Sequence, residues 1–119
     1  MKKTVVIGAS TNPERYSFKA THALVNQGIE THALGLKKGM VANVPIFTQA
    51  DDLTEVDTIT LYVGPAHQQY WLPNILALHP RRVIFNPGTE NPEIEQVLHS
   101  RGIIVEHACT LVLLSTNQF

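Results

Sequence analysis

Thr4-Val5-Val6-Ile7-Gly8-Ala9-Ser10-Thr11-Asn12-Pro13-Glu14-Arg15-Tyr16-Ser17 is the stretch on which the reading of this chain turns. A run of β-type residues leads into Gly8, and small and polar residues, a proline and an arginine then lead toward a helix. A strand over 3–8, a tight loop and a helix over 17–27 are predicted. In α/β proteins this arrangement holds phosphates, because free backbone N–H groups and the positive end of the helix dipole converge on one point. Gly8 allows the tight turn, and Ala9 and Ser10 let a diphosphate come close to the backbone. The Ser10 and Ser17 hydroxyls can donate hydrogen bonds, and Arg15 offers a charged fork. The same residues also suit an ordinary βα turn in which Pro13 only sets the loop. Position at a sheet edge, together with the residue types, favours a ligand.

Outward from this stretch, strand and helix alternate. Phe18, Ala20, Leu24 and Val25 give the first helix an apolar side, and Gly28 is placed to stop it. Residues 29–34 read as a second strand, completing a right-handed parallel βαβ unit. A loop over 35–45 precedes a short strand around Pro45-Ile46-Phe47 and a helical turn at Asp51-Asp52-Leu53. A strand over 57–63 ends at Gly64-Pro65, and a helix over 66–79 is kinked or restarted by Pro73. A strand over 82–86, a helix over 92–101 closed by Gly102, and a strand over 103–106 follow. Leu111-Val112-Leu113-Leu114 fits either a short terminal helix or one more strand. The pattern implies one domain over 1–119: an α/β, Rossmann-like three-layer fold with a mainly parallel sheet of about five strands. In such sheets the ligand lies beyond the C-terminal strand ends, here at loops 8–16, 35–39, 63–67, 86–91 and 107–110.

Composition narrows the function classes. A hydrophobic fraction of 44% and a charged fraction of 16% suit a folded globular chain. A net charge of -1 removes the electrostatic case for a general nucleic-acid binder. The single cysteine, Cys109, precludes an internal disulfide and fits the cytoplasm. The apolar run after Lys2-Lys3 is too short, and too soon interrupted, for a signal peptide. No segment nears the roughly 18 apolar residues of a membrane span.

The loop is not the dinucleotide fingerprint, since of its three glycines only Gly8 is present. The acid that would hold a ribose 2′-hydroxyl is missing from His32-Ala33-Leu34-Gly35-Leu36, which disfavours NAD. Lys37-Lys38 follow instead; they suit an extra phosphate, as in NADP, or are a solvated surface pair. Cys109 with His107 resembles a nucleophile and base, but no third group orients them, and a buried thiol beside a surface histidine is the preferred reading. The six histidines show no metal-ligand spacing, so no metal is assigned. His67 lies in a strand-end loop where it can touch a ligand. Tyr70, Trp71 and Leu72 suggest packing or an oligomer contact. Glu90, Glu93 and Glu95 suit a helix dipole better than acid–base catalysis.

Gly8-Ala9-Ser10, Asn12-Pro13-Glu14-Arg15 and Ser17, followed by a helix, Gly28 and a second strand, resemble the small stand-alone CoA-binding domain family. That family is related to the nucleotide-binding domain of the succinyl-CoA synthetase alpha subunit. Val56-Asp57, Pro65, Asn86-Pro87-Gly88, Gly102-Ile103 and Cys109 extend the resemblance over nearly the whole chain. The chain departs from the family pattern at Ala33-Leu34-Gly35-Leu36, at Val63-Gly64 and at Glu106-His107. The resemblance implies a module that binds CoA or acyl-CoA through its diphosphate and 3′-phospho-ADP part. By position, Gly8, Ala9, Ser10, Asn12, Pro13, Arg15 and Ser17 would form the phosphate loop, and Lys37 would sit near the phosphorylated ribose. Val63, Gly64 and Pro65 would line the adenine or diphosphate side and Asn86, Pro87 and Gly88 the opposite wall. No catalytic residue is expected. The alternatives are an NADP-linked oxidoreductase or redox sensor, and a protein-interaction subunit without a ligand. Expected partners are a nucleotide cofactor and either a second copy or a partner enzyme subunit, with no nucleic acid and no membrane.

Overall fold

The central strands β1 (Thr4–Ile7), β5 (Thr58–Leu61) and β6 (Arg82–Phe85) are buried along their whole length. A strand covered on both faces has no use for alternation, and such strands belong to parallel sheets flanked by helices. The computed structural model, which describes residues 2–50 and 52–119, has that architecture. Strands β2 (Thr31–Leu34), β3 (Gly39–Val41), β4 (Val44–Phe47) and β7 (Ile104–His107) complete a sheet of order β3-β4-β2-β1-β5-β6-β7. Every described pair is parallel except the β3–β4 hairpin.

Helices α1 (Tyr16–Asn26) and α4 (Thr110–Ser115) cover one face, where Val6, Leu24 and Leu114 meet. Helices α2 (Gln68–Leu78) and α3 (Pro92–Ser100) cover the other, burying Trp71, Ile75, Ile94 and Leu98 against Val5, Ile7, Ile59 and Phe85. Gly28 stops α1 by adopting φ +75, so that its N–H reaches Val25 O at 2.9 Å and the next N–H reaches Leu24 O at 3.1 Å. These two bonds satisfy carbonyls the helix end would leave bare.

Two details differ from the sequence expectation. The sheet has seven strands rather than about five, because segment 35–45 contains β3 and the start of β4. Their turn is Ala42-Asn43, both with positive φ (52 and 63), a hairpin geometry that ordinarily announces itself by glycine. Helix α2 neither stops nor restarts at Pro73: the proline lies on its exposed face, and a 3₁₀ turn over Pro65–His67 precedes it. Leu111–Leu114 is helical, within α4. Of the turn expected at 51–53, Asp51 lies outside the described residues, and Asp52 is in a turn. Among the described residues no helix is long and apolar enough to cross a membrane.

Buried polar side chains tie the strands at both sheet ends. Asn86, 2% exposed, donates from Nδ2 to Thr60 Oγ1 (2.8 Å) and Leu61 O (2.9 Å), and its Oδ1 accepts from Thr110 N (2.9 Å). At the other end the Arg82 guanidinium donates to Thr58 Oγ1, Glu106 Oε1 and Phe119 O, each at 2.9 Å. Asp57 accepts from Arg81 Nε at 2.8 Å, and this bond holds its carboxyl below the usual 3.8.

Asn86→Ala should leave Leu61 O and Thr110 N without buried partners and cost about 2–3 kcal/mol, read as a lower urea midpoint at unchanged slope. The Asp57–Arg81 pair is ionised at neutral pH, and its contribution should be lost as pH falls below 3.8. The stability gap between the parent and Asp57→Asn should therefore be largest near neutrality and shrink in acid.

A candidate ligand cleft at the carboxyl edge of the sheet

The chain leaves β1 toward β2 on one side, while β5 pairs with β1 on the other. Connections diverge at this point, and a crevice opens beyond the strand ends. It is a cleft of about 940 Å³ between the loop after β1, Leu36–Lys38 after β2, and the segment from Tyr62 to Trp71 after β5.

Close backbone approach shapes the loop after β1. Gly8 has φ +94, and a Cβ there would lie 2.7 Å from Tyr62 O. The N–H groups of Gly8 and Ala9 both point to Leu34 O at 3.0 Å. A Cβ on Gly35 would lie 2.5 Å from Ala9 O, and one on Gly39 would lie 2.6 Å from Thr11 Cγ2. Three glycines thus let the loops after β1, β2 and β5 touch. Beyond Ala9 the loop folds on itself: Ser10 Oγ accepts from Asn12 N, Asn12 Oδ1 accepts from Glu14 N, and Arg15 N donates to Asn12 O, each at 3.0 Å. The Ser10 hydroxyl accepts here, which leaves its proton to donate into the cleft.

The start of α1 has no side-chain cap and no acid in its first turn. Helix α3 is the contrast. Asn91 Oδ1 accepts from Ile94 N, Glu95 Oε2 accepts from Asn91 N at 2.8 Å, and Glu93 and Glu95 sit in its first turn. One helix satisfies its own N-terminal donors; the other presents donors and dipole to the cleft. Arg15, Lys37 and Lys38 line the same space together with Glu14. Among the described residues, no ion pair involves these three cations.

The β5 side is different in character. Tyr62, Val63, Gly64, His67, Tyr70 and Trp71 form it. The Tyr62 hydroxyl is buried close to the Thr60 and Thr110 hydroxyls, and burial pushes its pKa up to about 12, so it is a neutral phenol. Trp71 is buried, and the exposed Tyr70 ring stands edge-on to it at 5.1 Å and 88°.

Of the residues expected from sequence, the cleft gathers Gly8, Ala9, Ser10, Arg15, Ser17, Lys37, Val63 and Gly64. Asn12 and Pro13 lie in the same loop but outside the cleft lining, Asn12 bracing the loop from within. Pro65 begins the 3₁₀ turn, and its carbonyl accepts from Asn91 Nδ2 at 3.4 Å. Asn86, Pro87 and Gly88 are not in the lining; the polar atoms of the Asn86 side chain are engaged with Thr60, Leu61 and Thr110. Their loop is tied to the β5 loop by buried Gln68, whose Nε2 donates to Val63 O and Thr89 O. Thr11, Glu14, Tyr16, Leu36 and Tyr62 line the cleft without having been singled out as ligand residues, and so do Tyr70 and Trp71, which the sequence suggested for packing or an oligomer contact. Tyr62 had a signal, being the first residue past the buried run of β5, at the carboxyl edge of the sheet. His107 bonds Glu95 at 2.7 Å through Nε2 and packs edge-on to Phe85, while Cys109 is the N-cap residue of α4.

A family model described as a CoA binding domain matches residues 2–115. No curated protein matches the chain. Among solved structures, the crystal structure of an uncharacterized protein is 44% identical, with a TM-score of 0.95 over 100% of this chain and 98% of that one. A hypothetical protein from Pyrococcus horikoshii OT3 is 20% identical, with a TM-score of 0.88 over 97% of this chain and 82% of its own. A dinucleotide forming acetyl-coenzyme A synthetase from Ca. Korarchaeum cryptofilum, solved with phosphate and ADP, is 16% identical. Its TM-score is 0.70 over 87% of this chain and 25% of its own. At those identities the last two are similar in fold alone.

Gly8→Ala and Gly28→Ala separate backbone strain from loop contact. Both positions have positive φ, but a Cβ at Gly28 meets nothing within 4 Å. Gly28→Ala should cost about 1 kcal/mol, and Gly8→Ala at least about 2 kcal/mol more, because a backbone carbonyl must move. Denaturant unfolding of the two variants measures the difference.

Proposed function

The chain belongs to the CoA binding domain family, and we propose that its cleft binds coenzyme A or an acyl-CoA through the diphosphate and the 3′-phospho-ADP part. The observation that carries this reading is the uncapped start of α1, which opens on a cleft also lined by Arg15, Lys37 and Lys38. An anion placed there gains backbone donors, a helix dipole and mobile cations at once.

Gly8 and Ala9 let the diphosphate approach the backbone, and Ser10 and Ser17 donate hydroxyl protons to it. Arg15 supplies the bidentate fork. Lys37, with Lys38 beside it, stands past the end of β2, the position of a phosphorylated ribose when a diphosphate lies over β1. Val63 and Gly64 form the opposing side. Asn12 and Pro13 hold the loop in shape, while Pro65, Asn86, Pro87 and Gly88 brace the β5 side from behind. The protein is read as a binding module, with cleft residues that orient and neutralise a ligand. NADP is the competing ligand, because the same lysines suit a 2′-phosphate.

Thermal melting with CoA, acetyl-CoA, dephospho-CoA, NAD, NADP and ATP tests the reading. A ligand at 100 times its dissociation constant adds about 2.7 kcal/mol, a shift of several degrees in a domain of this size. CoA and acetyl-CoA should stabilise; a shift with NADP and none with CoA would overturn the proposal. Arg15→Ala should weaken CoA and dephospho-CoA alike. Lys37→Ala should weaken CoA roughly tenfold or more and dephospho-CoA little, since only the former carries the 3′-phosphate.

A further inference from the structure

We infer that Gly39 is a positioning residue for ligand choice. By letting Thr11 press against the foot of the lysine loop, it holds Lys37 and Lys38 at a set distance from the start of α1. The cleft thereby favours a cofactor that carries a further phosphate on its ribose; this rests on the CoA reading above. Leu36, Lys37 and Lys38 form an exposed arch with a glycine at each foot, Gly35 and Gly39. Neither glycine has a positive φ, so the backbone at both would accept a side chain. What excludes one is space.

Each foot of the arch is held from two sides. On the sheet side, Gly35 N donates to Phe47 O at 2.9 Å, and Gly39 is the partner of Ile46 in the β3–β4 hairpin. Buried Ile46 lies against both feet: a Cβ on Gly35 would be 3.1 Å from its Cγ2, and one on Gly39 would be 3.8 Å from its Cδ1. On the other side stands the loop after β1. There the Gly35 Cβ would lie 2.5 Å from Ala9 O, and the Gly39 Cβ 2.6 Å from Thr11 Cγ2. Ala9 and Thr11 flank Ser10 in that loop. The arch is wedged between a strand of the sheet and the loop that leads to the uncapped start of α1. With Ile46 fixed in the core, a side chain at Gly39 must push the arch and the loop apart. A ligand held by one loop alone is indifferent to that gap. A ligand that spans both, with its diphosphate at α1 and a phosphomonoester at the lysines, binds best when the spacing matches its own.

Isothermal titration with CoA and with dephospho-CoA, which differ only in the 3′-phosphate, tests the inference. The parent should bind CoA at least about tenfold tighter, the worth of a charge-assisted contact. Gly39→Ala should cut that ratio at least about threefold and leave dephospho-CoA within about twofold of its parent affinity, whereas general damage to the fold would weaken both ligands. Adding Thr11→Ser to Gly39→Ala removes the methyl group that the new Cβ meets, and should restore the ratio. Gly39 is only partly buried and Thr11 is exposed, so both variants should fold, which far-ultraviolet circular dichroism checks. The inference is overturned, and the CoA reading stands, if CoA binds but the parent does not tell the two ligands apart. The same holds if Gly39→Ala keeps the ratio or weakens both ligands equally, or if Thr11→Ser does not rescue it. If neither ligand binds the parent, both fall together.

Discussion

The close approach of Gly8 to the carbonyl of Tyr62 is the constraint on which the rest of this structure depends. The first strand can pass between its neighbours and turn into α1 only because no side chain stands at that point. Gly35, pressed against the carbonyl of Ala9, does the same on the other side. Together they bring three loops to one crevice and leave the start of α1 pointing into it. A side chain at either position would separate the loops and change what the crevice can hold.

Polar groups are distributed in keeping with that constraint. Away from the crevice they are satisfied internally, as Asn86 is by Thr60, Leu61 and Thr110, and as Arg82 is by Thr58, Glu106 and Phe119. Helix α3 caps itself with Asn91 and gathers acids in its first turn. Helix α1 does neither, and its neighbouring cations lack carboxylate partners among the described residues. Groups that a folded chain would normally satisfy within itself are left available at one place. Family membership and that availability together carry the proposed reading, because coenzyme A is rich in phosphate.

Much of the fold was legible because its signals are local. The buried run Val5-Val6-Ile7 before Gly8, the stops at Gly28 and Gly102, and the alternation of strand with helix need no knowledge of distant residues. The β3–β4 hairpin was not legible in full. Its first strand is three residues long, its turn is Ala42-Asn43, and its stability comes from lying beside β2. The helix across Pro73 was legible, but its running on without a restart was not: a proline is tolerated inside α2 on the face that meets water, and only packing reveals which face that is.

The site divides in the same way. By itself the sequence determined the small-residue loop after the first strand, the lysine pair after the second strand and the lack of an acid there, because residue type and order are enough to define those features. Only the tertiary structure decided which residues share one space. It turned Asn86 inward, where its amide satisfies buried backbone groups, and brought Tyr62, Tyr70 and Trp71 into the cleft opposite Arg15, Lys37 and Lys38. The physical reason is that side-chain direction depends on strand register and helix rotation. Both are fixed by what the whole core buries, not by any one segment.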